Sequence, residues 1–178
     1  LTGYDGYRWS PDSEEIAFWE EDESKVPEYS IIDELGLYPK VKQIRYPKVG
    51  QINPSLRIGI VRVKGAGKRW IRDAITEDNY LPWMEWIGNK KLSFLKMNRK
   101  QNHWDLFVAD KNTGKSTLVL SEDDPGGWLD NDGEIYFLKD GKIIWISEQS
   151  GFKHIWISKH SGTKKRAITK GDWEVSKI

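Results

Sequence analysis

The sequence predicts an all-β fold, a partial β-propeller of about three four-stranded antiparallel blades, and three observations carry that prediction. Runs such as Lys91-Leu92-Ser93-Phe94-Leu95 and His154-Ile155-Trp156-Ile157-Ser158 alternate apolar and polar positions and are rich in β-branched and aromatic residues. That is the pattern of a strand with one face buried. Between such runs stand Asn112-Thr113-Gly114, Asp140-Gly141 and Ser161-Gly162, which supply the positive-φ positions of tight hairpin turns. The third observation is recurrence. Trp83, Trp128 and Trp173 are spaced by 45 residues each time, the length of one four-stranded blade.

Residues 1–79 form an enlarged first unit. It contains Trp9-Ser10-Pro11-Asp12 and the strand-like Glu15-Ile16-Ala17-Phe18-Trp19. The best helix candidate of the chain is residues 30–37, interrupted by Gly36 and stopped by Pro39. Next comes a loop, Tyr46-Pro47-Lys48-Val49-Gly50-Gln51-Ile52-Asn53-Pro54. Its two prolines fix φ and remove ladder donors, so no strand runs through it. Pro47, Gly50, Asn53 and Pro54 are given a structural role.

Two further units span residues 80–124 and 125–171, and 172–178 start another. Lys91-Leu92-Ser93-Phe94-Leu95 aligns with Glu134-Ile135-Tyr136-Phe137-Leu138, and Asp105-Leu106-Phe107-Val108-Ala109 with the run at His154. A blade cannot bury both faces alone and stacks on its neighbours. Trp9, Trp83, Trp128, Trp145, Trp156 and Trp173 are therefore expected to pack between blades, and Gly151 and Phe152 are assigned structural roles beside them. A propeller closes with at least about four blades, so the chain reads as an excerpt of a larger ring.

Composition excludes several function classes. The chain of 178 residues has 28 Lys+Arg against 27 Asp+Glu, a formal net charge of +1, which argues against a nucleic-acid surface. No apolar run reaches the roughly 18 residues of a membrane span. With no cysteine there is neither a disulfide framework nor a thiolate metal site. No cofactor and no metal are implied. Gly65-Ala66-Gly67-Lys68 has the wrong spacing for a phosphate loop and reads as a hairpin tip. Asp130-Asn131-Asp132-Gly133 lacks the spaced acidic ligands of a calcium loop and reads as a turn.

Four stretches carry a family likeness from one end of the chain to the other. They are Trp9-Ser10-Pro11-Asp12 with Ile16-Ala17-Phe18; Tyr46-Pro47-Lys48-Val49-Gly50 with Asn53-Pro54; Phe137-Leu138-Lys139-Asp140-Gly141 leading to Trp145 and Ser147-Glu148-Gln149-Ser150-Gly151-Phe152-Lys153-His154; and Thr169-Lys170-Gly171-Asp172-Trp173-Glu174-Val175. With them the chain resembles the propeller domain of the dipeptidyl peptidase IV family, in the prolyl oligopeptidase clan, with its bacterial dipeptidyl and prolyl tripeptidyl peptidases. The resemblance implies an eight-bladed ring and makes the loop at 46–54 the link between long strands of the enlarged blade.

It also implies a serine exopeptidase that removes dipeptides or tripeptides, usually ending in proline, from peptide N-termini. Its Ser-Asp-His triad lies in a C-terminal α/β-hydrolase domain, which with the remaining blades and the peptide substrates would be this segment's partners. A periplasmic or cell-envelope location is favoured on the same ground. No Gly-x-Ser-x-Gly elbow occurs here, so no catalytic residue is assigned and the segment alone is expected to be inert. The family's paired glutamates, which clamp the substrate ammonium, precede the Trp-Ser-Pro-Asp stretch and are expected to lie before Leu1. Glu14-Glu15 and Glu20-Glu21 are rejected as substitutes. The pocket-lining loop corresponds to residues 123–132, where Trp128 is a weak substrate-binding candidate. Self-association through open blade edges is expected. Two other readings stay open: a stand-alone propeller-type interaction module, and a carbohydrate-binding β-protein.

Overall fold

The structure, a computed structural model, describes residues 6–65, 67–130 and 133–178. The first sheet starts with β1 (Tyr7–Trp9) and β2 (Glu15–Asp22). A projecting hairpin of β3 (Glu28–Asp33) and β4 (Lys40–Arg45) follows, and β5 (Ser55–Arg62) and β6 (Lys68–Thr76) return to the sheet in the order β1-β2-β5-β6. The second sheet has β7 (Asn79–Tyr80), β8 (Met84–Ile87), β9 (Lys91–Asn98), β10 (His103–Asp110) and β11 (Ser116–Asp123). Here β7 and β8 pair with opposite ends of β9. They act as one strand broken at Pro82, which has no N–H to give the ladder. β12 (Ile135–Phe137), β13 (Lys142–Ser147), β14 (His154–Lys159) and β15 (Arg166–Ala167) make the third sheet in chain order. All pairings are antiparallel, and no helix occurs among the described residues. The chain is all-β, a partial propeller.

Local chemistry accounts for the turns. Between β1 and β2, the Ser10 hydroxyl donates to Asp12 (2.6 Å) and accepts from the Glu15 N–H (2.9 Å), while Ser13 takes a φ of 57°. The Ser-Pro-Asp stretch is thus a hydrogen-bonded hairpin clamp.

Two apolar clusters hold the sheets together. One packs Ile58, Ile60 and Ile71 of the first sheet against Met84, Leu92 and Phe94 of the second. The other packs Leu95, Trp104 and Leu106 of the second against Ile135, Ile143 and Trp145 of the third. Phe94 and Leu95 are consecutive and serve different clusters, because neighbouring strand residues point to opposite faces. The middle sheet is therefore buried on both faces. Indole N–H groups cross the first junction: Trp19 donates to the Leu81 carbonyl and Trp86 to that of Arg8, each at 3.0 Å.

A second contact recurs between sheets. Gly114, in the β10–β11 turn, lies against the Trp70 carbonyl of the preceding sheet, and its own carbonyl accepts the Arg72 N–H at 2.9 Å. Gly162, in the β14–β15 turn, lies in the same way against Val119. A Cβ there would stand 1.6 Å from the Val119 carbonyl oxygen, on a residue with φ +72°. Gly162→Ala is expected to cost about 1–3 kcal/mol from strain and overpacking. Gly141→Ala, at φ +79° with open space around it, is expected to cost about 1 kcal/mol or less. Urea midpoints of the two variants check the contrast, and equal losses would count against the docking role of Gly162.

Three expectations are corrected. Residues 30–37 are not helical: β3 pairs with β4 from Glu28↔Arg45 to Asp33↔Lys40, because cross-strand pairing of β-branched residues outweighs weak helix propensity. The matching of Lys91 with Glu134 is out by one strand. β9 is the second strand of its sheet and β12 the first of the next. The true counterparts β9 and β13 start at Lys91 and Lys142, 51 residues apart. The 45-residue tryptophan series is accordingly no structural repeat. Trp83 packs on the second cluster, whereas Trp128 is 60% exposed and Trp173 50% exposed. Trp9 is also half exposed. Trp145 is buried in the second cluster, with Trp156 partly buried against it. Gly151 turns the chain between β13 and β14 with φ +99°, next to a half-buried Phe152. Residues 172–178 form no strand, and the Val175 N–H donates to the Lys153 carbonyl at 2.8 Å.

Candidate functional site

Antiparallel strands send alternate connections to opposite ends of the stack. At one end, where the β6–β7 and β9–β10 connections also lie, the end of β11 and the β11–β12 and β13–β14 connections bring together Asp123, Asp124, Asp130, Glu134 and Glu148 around Glu122. A cavity of about 30 Å³ lies between Trp104, Glu122, Leu129 and Trp145, and a wider depression opens beside it over Ser121, Asp124 and Gln149.

Glu122 shares its face of β11 with buried Leu120 and is itself buried. The Trp145 indole N–H donates to its carboxylate at 2.6 Å and Gln149 at 3.4 Å. Burial pushes this carboxyl above its ordinary value, against the hydrogen bonds from Trp145 and Ser147. The loop after β11 is pinned to the β9–β10 turn. Asp124 N–H donates to the Asn102 carbonyl and Leu129 N–H to that of Gln101, both at 2.9 Å. At Gly127 a Cβ would meet the Asp124 carboxylate at 2.5 Å, so a larger residue there would displace that side chain. Lys153 pairs with Asp130 at 2.9 Å. Trp128, the weak binding candidate, projects from this loop outside both clusters. Asn131 and Asp132, part of the turn read at 130–133, lie outside the described residues, as does Ala66 of the hairpin tip.

The three histidines serve structure. His154 is buried, its Nε2–H donating to the Gly171 carbonyl and its Nδ1 facing the Thr169 hydroxyl, each at 3.0 Å. His160 meets Phe137 edge-on at 5.7 Å. His103 lies 2.6 Å from Asp123 and 3.3 Å from Asp105, and Asp105 accepts from Ser121 at 2.5 Å. The trio has the composition of a triad in the wrong order: the serine donates to the aspartate, and no base faces its oxygen. Burial pulls His103 down, but the bonds to Asp123 and Asp105 outweigh it and hold the ring above its ordinary value. A raised folded value makes its contribution to stability complete below the unfolded value of 6.5 and lost as pH rises through the folded one. Asp123→Asn is expected to lower the His103 titration midpoint, followed by its ring proton shift; an unmoved midpoint would contradict the pairing.

One member of each rejected acidic pair is engaged elsewhere. Glu15 is surrounded by Arg62, Arg69 and Lys111, and Glu20 by Arg57 and Lys68. The 46–54 loop joins β4 to β5, turning at Gly50 (φ 79°), with Tyr46 tilted against Tyr29 at 6.0 Å. Pro47, Gly50, Asn53 and Pro54 face Asp78 and Arg99 across a depression at the acidic end. No group of three metal-ligating side chains and no helix long and apolar enough to cross a membrane occurs among the described residues.

Residues 1–178 match the family described as the dipeptidyl peptidase IV N-terminal region. The chain belongs to that family. Among curated relatives of this dipeptidyl peptidase IV N-terminal region, bovine dipeptidyl peptidase 4 is 31% identical over 197 residues, covering 98% of this chain and 26% of the relative. The probable dipeptidyl peptidase 4 of Aspergillus flavus is 30% identical, covering 96% and 24%. Among solved structures, a putative dipeptidyl aminopeptidase IV from Bacteroides ovatus superposes with a TM-score of 0.87 at 26% identity over 97% of this chain and 28% of its own. Dipeptidyl peptidase 4 of Porphyromonas gingivalis gives 0.84 at 29% identity, over 96% and 25%. The chain thus spans about a quarter of the length of the relatives it matches.

Of this rim, sequence reasoning reached the 123–132 loop with Trp128, and Trp145; it named Glu148 and Gln149 only within a family-like stretch, without a site role, and missed Glu122. For Glu122 a signal existed: it falls on the inward parity of β11, two residues after Leu120.

Proposed function

We propose that the chain is a non-catalytic, substrate-gating propeller segment of a proline-specific serine exopeptidase that releases N-terminal dipeptides or tripeptides. The observation that carries this reading is the match of residues 1–178 to the dipeptidyl peptidase IV N-terminal region. In this reading the chemistry belongs to a C-terminal α/β-hydrolase domain, and the stacked sheets are a rigid wall that admits extended chain ends. The acidic rim around Glu122 faces the peptide, where carboxylates attract an N-terminal ammonium. Further blades cover the outer faces of the first and third sheets, where Trp9, Tyr7 and Tyr136 are exposed; without them these faces self-associate.

The isolated segment is expected to show no turnover of a Gly-Pro chromogenic substrate, while the intact protein cleaves it and is blocked by a serine-directed reagent. Turnover by the segment, or none by the intact protein, would overturn the proposal.

A further inference from the structure

At the end of the stack opposite the acidic rim, the second and third sheets diverge around a groove of about 760 Å³. Lys91 and Lys142 open the inner strands β9 and β13, and Lys115 and Lys159 stand at the turns beside β11 and β14. These four ammonium groups are exposed on the rim. The floor is apolar: Val108 is buried, Val119 half-buried and Leu118 half exposed. The groove holds two carboxylates, and both are occupied locally. Asp140 pairs with Lys142 at 2.5 Å, and Asp110 accepts the N–H groups of Asn112 (3.0 Å) and Thr113 (2.8 Å). Lys91, Lys115 and Lys159 make no ion pair within 4 Å among the described residues. Lys91 stands across the strand pair from Asp110, whose carboxyl the Thr113 N–H and, to a smaller degree, the Lys91 charge hold below its ordinary value. That leaves Lys115 and Lys159 without a carboxylate of their own. The four lysines against two carboxylates give this groove an excess of positive charge, although the chain as a whole has a formal net charge of only +1.

We propose that this groove docks an extended acidic polypeptide segment that also carries apolar side chains. Unpaired cations flanking an exposed leucine call for an occupant with carboxylates spaced around an apolar group. The concavity of the groove favours an extended chain over a flat lipid surface. A nucleic-acid strand is disfavoured too. No arginine and no aromatic ring apart from His160 lines the groove, so bases have no stacking platform.

The test uses the intact protein containing this chain, with a fluorescein-labelled peptide of repeated Glu-Leu-Asp followed by anisotropy. Saturable binding that weakens as salt rises is expected. Lys91→Glu combined with Lys159→Glu should lower affinity about tenfold or more, and Leu118→Asp should lower it as well, with the circular dichroism of both variants unchanged. Peptidase activity far from the groove should be unaffected, which separates this outcome from the gating proposal. No saturable binding, equal binding of a Lys-Leu peptide, or equal binding by the charge-reversed variant would overturn the inference. So would tighter, Lys91-dependent binding of phosphatidylglycerol vesicles or polyphosphate.

Discussion

Trp145→Ala is expected to destabilise the fold by about 3–5 kcal/mol. Trp145 is 1% exposed and packs in the cluster joining the second and third sheets, 6.4 Å from Trp156. Its removal empties the centre of that junction and, in the same step, strips Glu122 of its shortest hydrogen bond. Trp145→Phe separates the two effects: much of the ring volume stays while the indole N–H goes, for an expected loss of about 1–3 kcal/mol. Urea unfolding followed by far-UV signal reads both variants. A loss below about 1 kcal/mol for the alanine variant would mean that the ring is not the centre of the junction. Trp156 is only partly buried, so its alanine variant should lose less.

The second large effect is expected at the first junction. Glu15 is 2% exposed and opens β2 beside the Trp-Ser-Pro-Asp turn. Arg69 binds one of its oxygens, with Arg62 at 3.7 Å, and Lys111 of the second sheet lies 2.6 Å from the other. Glu15→Ala leaves these cations without their carboxylate and should cost about 2–3 kcal/mol, since Arg62 and Arg69 keep contact with solvent. Burial pushes the Glu15 carboxyl up, but the bonds and charges of Lys111 and Arg69 outweigh it and hold it below its ordinary value. A depressed folded value makes its stabilisation complete above the ordinary carboxylate range and lost as pH falls through the folded value. Glu15→Gln should therefore flatten the acid limb of the stability curve as well as lower its plateau. Urea midpoints across that acid limb check this, and an unchanged slope in the variant would contradict the pairing.

The regular parts of the fold were legible because they are local. Period-two alternation marks β2, β9, β10 and β14, and Gly114, Gly141 and Gly162 mark three of the turns, since tight hairpins need positive φ wherever they stand. Registration between repeats was less legible. β12 and β9 both read as short alternating runs, and composition does not say which is first in its sheet and which second. Pairing energies do, and these come from residues across the ladder. The tryptophan spacing misled for a related reason: an indole is equally at home in a core and on a rim, so Trp83 and Trp128 look alike until their neighbours are present. The acidic rim was the least legible part, because Glu122 comes from the end of β11, Asp130 from the β11–β12 connection and Glu148 from the β13–β14 connection, and only sheet stacking brings them together.

By itself the sequence determined the strand-and-turn grammar, the all-β class and the family, since each depends on residue types at short, fixed separations. Tertiary structure alone decided which strands are equivalent, which indoles are buried, and which carboxylates and which lysines meet at the rim and in the groove. Those properties belong to contacts between residues far apart in the chain, which exist only once the sheets are stacked.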